Sequence, residues 1–115
     1  MAYDQTLADE IRHALAGEDG VSERRMFGGL SFLVGGNLAV AIRGDGLLVR
    51  VGPDAAGELA RTTAADHAVM GARTMAGWLD VPADALGSEE ELATWVRRGV
   101  DHARSLPPKA AATAR

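Results

Sequence analysis

The rhythm of polar and apolar positions changes several times along this chain. From residue 3 to 16 the apolar residues Leu7, Ile11, Ala14 and Leu15 recur at helical spacing, and Asp9, Glu10, Arg12 and His13 fall off that stripe. A helix over 3–16 follows, ended at "GEDG", where Gly17 is free to take the left-handed capping conformation. Beyond Val21 the period shortens to two. "VSERRMF" predicts a first strand in spite of its charge, and "LSFLV", "NLAVAIR" and "GLLVRV" alternate more clearly. The gaps at Gly35-Gly36 and Gly44-Asp45-Gly46 are too short for a parallel crossover, so residues 30–51 are expected to form an antiparallel meander of three strands.

Pro53 then opens a short helix, "PDAAGELARTTA", with Gly57 in its interior. "AVMGA" and "TMAGWLDV" predict another strand pair, or one strand entered through an irregular segment. The last helix is the clearest. In "SEEELATWVRRGVDHARSL", Ser88 and Glu91 make a capping box, Leu92, Trp95, Val96, Gly99, Ala103 and Leu106 make the buried stripe, and Pro107-Pro108 stop it. Grouped strands of this kind imply an α+β domain over residues 1–106, followed by a flexible tail over 107–115. The expected architecture has two layers, an antiparallel sheet of about five strands against helices, in the order α, three or four β, α, one or two β, α.

Alternation also assigns faces. Leu30, Phe32, Val34, Leu38, Val40, Ile42, Leu47, Val49 and Val51 are expected under the helices. The reverse face then carries Ser31, Leu33, Ala39, Ala41, Arg43, Leu48 and Arg50. A solvated sheet face is normally rich in Thr, Lys and Glu, whereas an apolar centre rimmed by arginine has the composition of an interface. Leu33, Ala39, Ala41, Arg43, Leu48 and Arg50 are therefore the interface candidates. The plainer alternative is that the alanines are merely tolerated, with a third helix or the strands of residues 67–81 lying over them.

Composition changes this picture little. A 115-residue chain buries roughly two-thirds of its unfolded surface and folds without staples. The absence of cysteine excludes disulfides, thiolate metal sites and a cysteine nucleophile, and suits a reducing compartment. No apolar run approaches the roughly 20 residues needed to cross a bilayer, and "MAYDQTLADE" has no signal pattern, so a cytoplasmic location without membrane contact is expected. The net charge of −4 disfavours bulk attachment to nucleic acid. Arg24, Arg25, Arg43 and Arg50 nevertheless form a local basic excess that keeps a nucleic-acid reading open as an alternative.

Candidate chemistry is sparse. "MFGGLSFLVGG" contains neither GxGxxG leading into a helix nor GxxxxGK[ST], and Gly28-Gly29 reads as a tight bend between strands. His13, His67 and His102 each stand without a second ligand at metal-binding spacing, and Asp9 with His13 reads as a solvated i,i+4 contact. No serine sits in a G-x-S-x-G elbow. No catalytic residue, metal or cofactor is assigned. Trp78 is the more open of the two tryptophans, because Trp95 lies on the buried stripe of the last helix.

"RRMFGGLSFLVGGNLAVAIRGDGLLVRVGP", then "RTMAGWLDV" and "WVRRGVDHARSLPPK", resemble the TfoX amino-terminal domain family over residues 3–109. The most specific elements are Met26-Phe27-Gly28-Gly29 with Phe32, and Met75-Ala76-Gly77-Trp78. The resemblance implies an antiparallel sheet on helices of the secretion-chaperone-like class, frequent homodimers, and a link to regulation of natural competence. It implies no catalytic residues. The namesake regulators carry a second, helix-hairpin-helix domain after this one, and the chain is expected to be a stand-alone member. The expectation is a non-enzymatic regulatory module that contacts itself or a regulatory protein partner. A nucleic-acid-associated factor comes next, and a small-molecule binder with a pocket between sheet and helices last.

Overall fold

Asp4 sets the start of the first helix: its carboxylate accepts a hydrogen bond from the Leu7 backbone N–H at 3.1 Å, satisfying one of the donors a helix leaves open. In the computed structural model, which describes residues 4–26, 29–44 and 46–107, helix α1 then runs Gln5–Ala14 and buries Leu7, Ala8 and Ile11. Gly17 takes φ +91°, a conformation in which a side chain would be strained, and turns the chain toward the sheet.

Six strands follow in two groups. β1 (Val21–Met26), β2 (Gly29–Val34), β3 (Asn37–Arg43) and β4 (Gly46–Arg50) form a meander. After α2 (Pro53–Thr62) come β5 (Asp66–Met70) and β6 (Arg73–Val81), then a single 3-10 turn (Ala83–Leu86) and α3 (Glu89–Ser105). All pairings are antiparallel, and the spatial order is β1-β2-β3-β4-β6-β5. The fold is α+β as expected, with six strands in place of about five. "VSERRM" is a full strand because it occupies the edge, where exposed Glu23, Arg24 and Arg25 can stay in water and discourage pairing with another chain.

One layer of helices lies over the sheet. α3 crosses β2, β3 and β4, α1 rests on α3, and α2 covers β5 and β6. Between them sits the main core, with Phe32, Val34, Val40, Ile42, Leu47, Val49 and Leu79 from the strands facing Ile11, Leu92, Trp95, Val96 and Val100. Burying each such side chain is worth about 1.5–3 kcal/mol, so this layer carries most of the stability. Gly99 allows the close approach of α3: a Cβ there would stand 2.9 Å from Val40 Cγ1 and run into the Ala39 carbonyl.

Polar contacts fasten the layer at its ends. Ser88 Oγ accepts the Glu91 N–H at 3.0 Å, the cap the sequence predicts. Arg104 and Arg97 reach Glu18 at 2.6 and 3.1 Å, clasping the α1–β1 turn to α3, and hold its carboxyl below the usual carboxylate range. Arg12 bonds Glu23 through two nitrogens at 2.8 and 2.9 Å. Its guanidinium lowers the Glu23 carboxyl likewise. Buried Asn37 donates to the Pro107 carbonyl at 2.9 Å, which anchors the end of the described chain to the β2–β3 turn.

Candidate interaction face

The reverse side of the sheet departs from simple alternation at one residue. Phe32 pairs with Val40, but the next residue, Leu33, pairs with Leu38, leaving Ala39 as an extra residue in β3. Such a bulge breaks the period-two pattern. Ala39 and Val40 therefore both belong to the helix-side core, and Leu38 turns to the reverse side. The assignments of Leu38 and Ala39 expected from alternation are thus exchanged, because one inserted residue inverts every position beyond it.

Leu38, Ala41 and Leu48 form a second, smaller cluster with Ala68 of β5, and Met75 and Trp78 of β6 pack over it. No described helix contributes to it. The expectation of an open apolar face fails here: Ala41 and Leu48 are 0% exposed and Leu33 is 7% exposed. The alternative weighed at the start, cover by the strands of residues 67–81, is what the chain adopts. Ala39 is also 0% exposed, but beneath α3. What the reverse side offers to solvent is the layer above: half-buried Met75, Trp78, Arg50 and Arg43.

The segment Met75-Ala76-Gly77-Trp78 makes this roof through an irregularity of its own. Between the pairs His67–Leu79 and Val69–Thr74, β5 advances two residues and β6 five. The surplus in β6 arches, with Gly77 at φ +86°. The Gly77 carbonyl accepts N–H bonds from Val51 at 2.9 Å and Gly52 at 3.0 Å, tying the arch to the β4–α2 junction. A Cβ on Gly77 would lie 3.1 Å from the Gly52 carbonyl carbon and the Pro53 nitrogen. Backbone conformation and close approach therefore both demand glycine here.

Arg50 pairs with Trp78 across β4 and β6, and its guanidinium carbon stands 5.4 Å from the indole centroid. Cation–π contacts of this kind are worth about 0.5–1 kcal/mol at exposed sites. His102 of α3 approaches the same junction. Its Cε1 is 3.0 Å from where a Gly52 Cβ would stand, and Gly52 itself has φ +93°. Burial, and then the charge of Arg50, lower the imidazole below its ordinary value.

At the other end of the face, Arg43 Nη1 lies 3.8 Å from Asp80 Oδ1, an ion pair too long for a hydrogen bond, and that buried nitrogen has no hydrogen-bond partner among the described residues. Ser31 is 0% exposed, and its Oγ likewise has no partner among the described residues.

The four arginines of the nucleic-acid alternative do not make one patch. Arg24 pairs with Ser31 on the reverse side, whereas Arg25 pairs with Leu30 and faces the helix side. Arg43 is committed to Asp80 and Arg50 to Trp78. His13 turns to Glu89 at 3.8 Å, and Asp9 bonds Arg12 at 2.9 Å, so the expected Asp9–His13 pair is not formed. A cavity of about 910 Å³ opens between α1 and α3, walled by Asp9, Glu10, Glu89 and Glu90, rather than between sheet and helices. Among the described residues no group of three or more His, Asp or Glu is placed to hold a metal ion, and no helix is long and apolar enough to cross a membrane.

Phe27, Gly28 and Asp45 lie outside the described residues, as does the tail from 108 on. Of the "MFGG" element Gly29 can be placed. It is buried where β2 meets β3, and a Cβ would run into the Ile42 carbonyl. Sequence reasoning did not find Ala68 in this cluster, or Gly52 and His102 at the junction beside it. The Gly52-Pro53 step marked only the entry to α2, and a half-buried histidine on a helix carries no periodic signal.

Residues 13–103 match the TfoX N-terminal domain family. No curated protein and no solved structure matches the chain.

Proposed function

We propose that this chain, which belongs to the TfoX N-terminal domain family, is a non-enzymatic regulatory module acting through protein contacts, first of all with a second copy of itself. One observation carries the reading: Trp78, with Arg50 over its ring and Met75 beside it, forms an aromatic and cationic roof on a sheet face to which no described helix contributes. Trp, Arg and Met are the residue types enriched where proteins bind proteins, and Trp and Arg are those that dominate binding energy. The apolar residues beneath are filled by the chain's own strands, so they support the contact rather than make it. A role in regulating natural competence fits the family and is part of the proposal.

The test is sedimentation velocity at tens of micromolar with Arg50→Glu. Arg50 is half-exposed, so its replacement leaves the core intact. The wild type is expected to dimerise, and the variant to weaken association at least tenfold, about 1.4 kcal/mol. A wild type that stays monomeric, or a variant that associates equally well, would refute self-association through this face.

A further inference from the structure

Arg50 has two neighbours that matter. On one side its guanidinium stacks on Trp78 at 5.4 Å. On the other, its charge bears on the His102 imidazole. His102 is also pressed on Gly52, whose N–H is bound by the carbonyl of Gly77 in the arch that carries Met75 and Trp78. We propose that His102 is a pH-sensitive latch on the Trp78 face: on gaining a proton it repels Arg50 from the indole and loosens the Gly52–Gly77 junction. This inference rests on the reading of that face as the contact surface and names its regulation.

The surroundings leave the imidazolium poorly compensated. The charge of Arg50 on β4 bears on it, and Glu58 of α2 with Arg98 and Asp101 of its own helix share with it a cavity of about 470 Å³. Glu58 is already bonded to Arg61 at 2.8 Å, and Asp101 lies 3.9 Å from Arg97. Arg98 is held over the Trp95 ring at 4.4 Å. Both nearby acids thus have arginine partners of their own, while Arg50 is held by its 5.4 Å contact with Trp78, which a new positive charge nearby opposes. Histidine is the side chain whose ordinary titration falls between about pH 5 and 8, so the latch works in a range that cells and compartments visit.

The experiment is a proton NMR titration of the full chain across about pH 5 to 8, following the His102 imidazole and both indole N–H signals, with Trp78→Phe used for assignment. His102 is expected to titrate below its ordinary value, with the Trp78 indole shifting at the same midpoint and Trp95 remaining constant. His102→Gln should abolish the Trp78 shift. Arg50→Gln should raise the His102 midpoint and uncouple Trp78 from it, an arm that holds even if the histidine variant folds poorly. A Trp78 signal that is constant across the range, or that titrates unchanged in either variant, overturns the latch. Because no partner is needed for this readout, its failure is separate from that of the contact surface, which the sedimentation of Arg50→Glu decides.

Discussion

Adding one methyl group to a glycine should have opposite effects in two helices of this protein. Alanine favours a helix interior over glycine by about 1 kcal/mol, a gain available at both Gly57 and Gly99. At Gly57 in α2 a Cβ would meet nothing within 4 Å, so Gly57→Ala keeps the gain. At Gly99 in α3 the same atom would stand 2.9 Å from Val40 Cγ1 and 3.0 Å from the Ala39 carbonyl carbon, besides striking the carbonyl oxygen. Carbon atoms rest at about 3.5–4.0 Å. Val40 could change rotamer, but the Ala39 backbone belongs to the central strand β3 and cannot. The helix must therefore lift, loosening Trp95, Val96, Val100 and Ala103, which are all buried against the sheet.

Overpacking of a tight core costs about 1–3 kcal/mol, and a backbone clash belongs at the upper end of that range. Subtracting the propensity gain leaves Gly99→Ala destabilised by about 2 kcal/mol. At about 4 °C per kcal/mol for a domain of this size, thermal denaturation followed by circular dichroism should show a drop of about 8 °C. Gly57→Ala should instead rise by up to about 4 °C. A Gly99→Ala melting temperature equal to or above that of the wild type would mean that α3 does not sit at this height above β3. A fall in Gly57→Ala would show that the propensity argument, rather than the packing, is at fault.

Two further outcomes follow from the polar groups. Ser31→Ala removes a fully buried hydroxyl that has no partner among the described residues, and it should leave stability unchanged or raise it by up to about 1 kcal/mol in urea denaturation. A loss above that size would mean that the hydroxyl is bonded after all. Glu18, drawn below its ordinary value by Arg104 and Arg97, binds protons more weakly folded than unfolded. Its contribution is therefore complete above the unfolded value of about 4.3 and fades as pH falls toward the lower folded one. Glu18→Gln should flatten the acid limb of the stability curve, and an unchanged slope would refute the clasp.

Much of the fold is legible in the chain because its signals are local. Asn37–Arg43 is read to the residue, since a strand bounded by Gly36 and Gly44 has no freedom at its ends. Ser88 fixes the start of α3 by a bond three residues long. The candidate face was read less well. Its composition, apolar with an arginine rim, correctly marks residues that water does not solvate. Composition alone does not say whether a partner or the chain itself supplies the cover. Arg24 and Arg25, adjacent in sequence, are sent to opposite faces by the same alternation that made them look like one cluster.

What the sequence by itself determined is therefore the three helices, the antiparallel meander of β2 to β4 and most of the apolar face that α3 covers, because each depends on periods and caps within a few residues. Tertiary structure alone decided the reverse side. The bulge at Ala39 exchanged two neighbouring residues between layers, and the arch at Gly77 laid Met75 and Trp78 over Leu38, Ala41 and Leu48. Both irregularities arise from how β3 is matched to β2 and β6 to β5, a fit between strands that no single strand encodes.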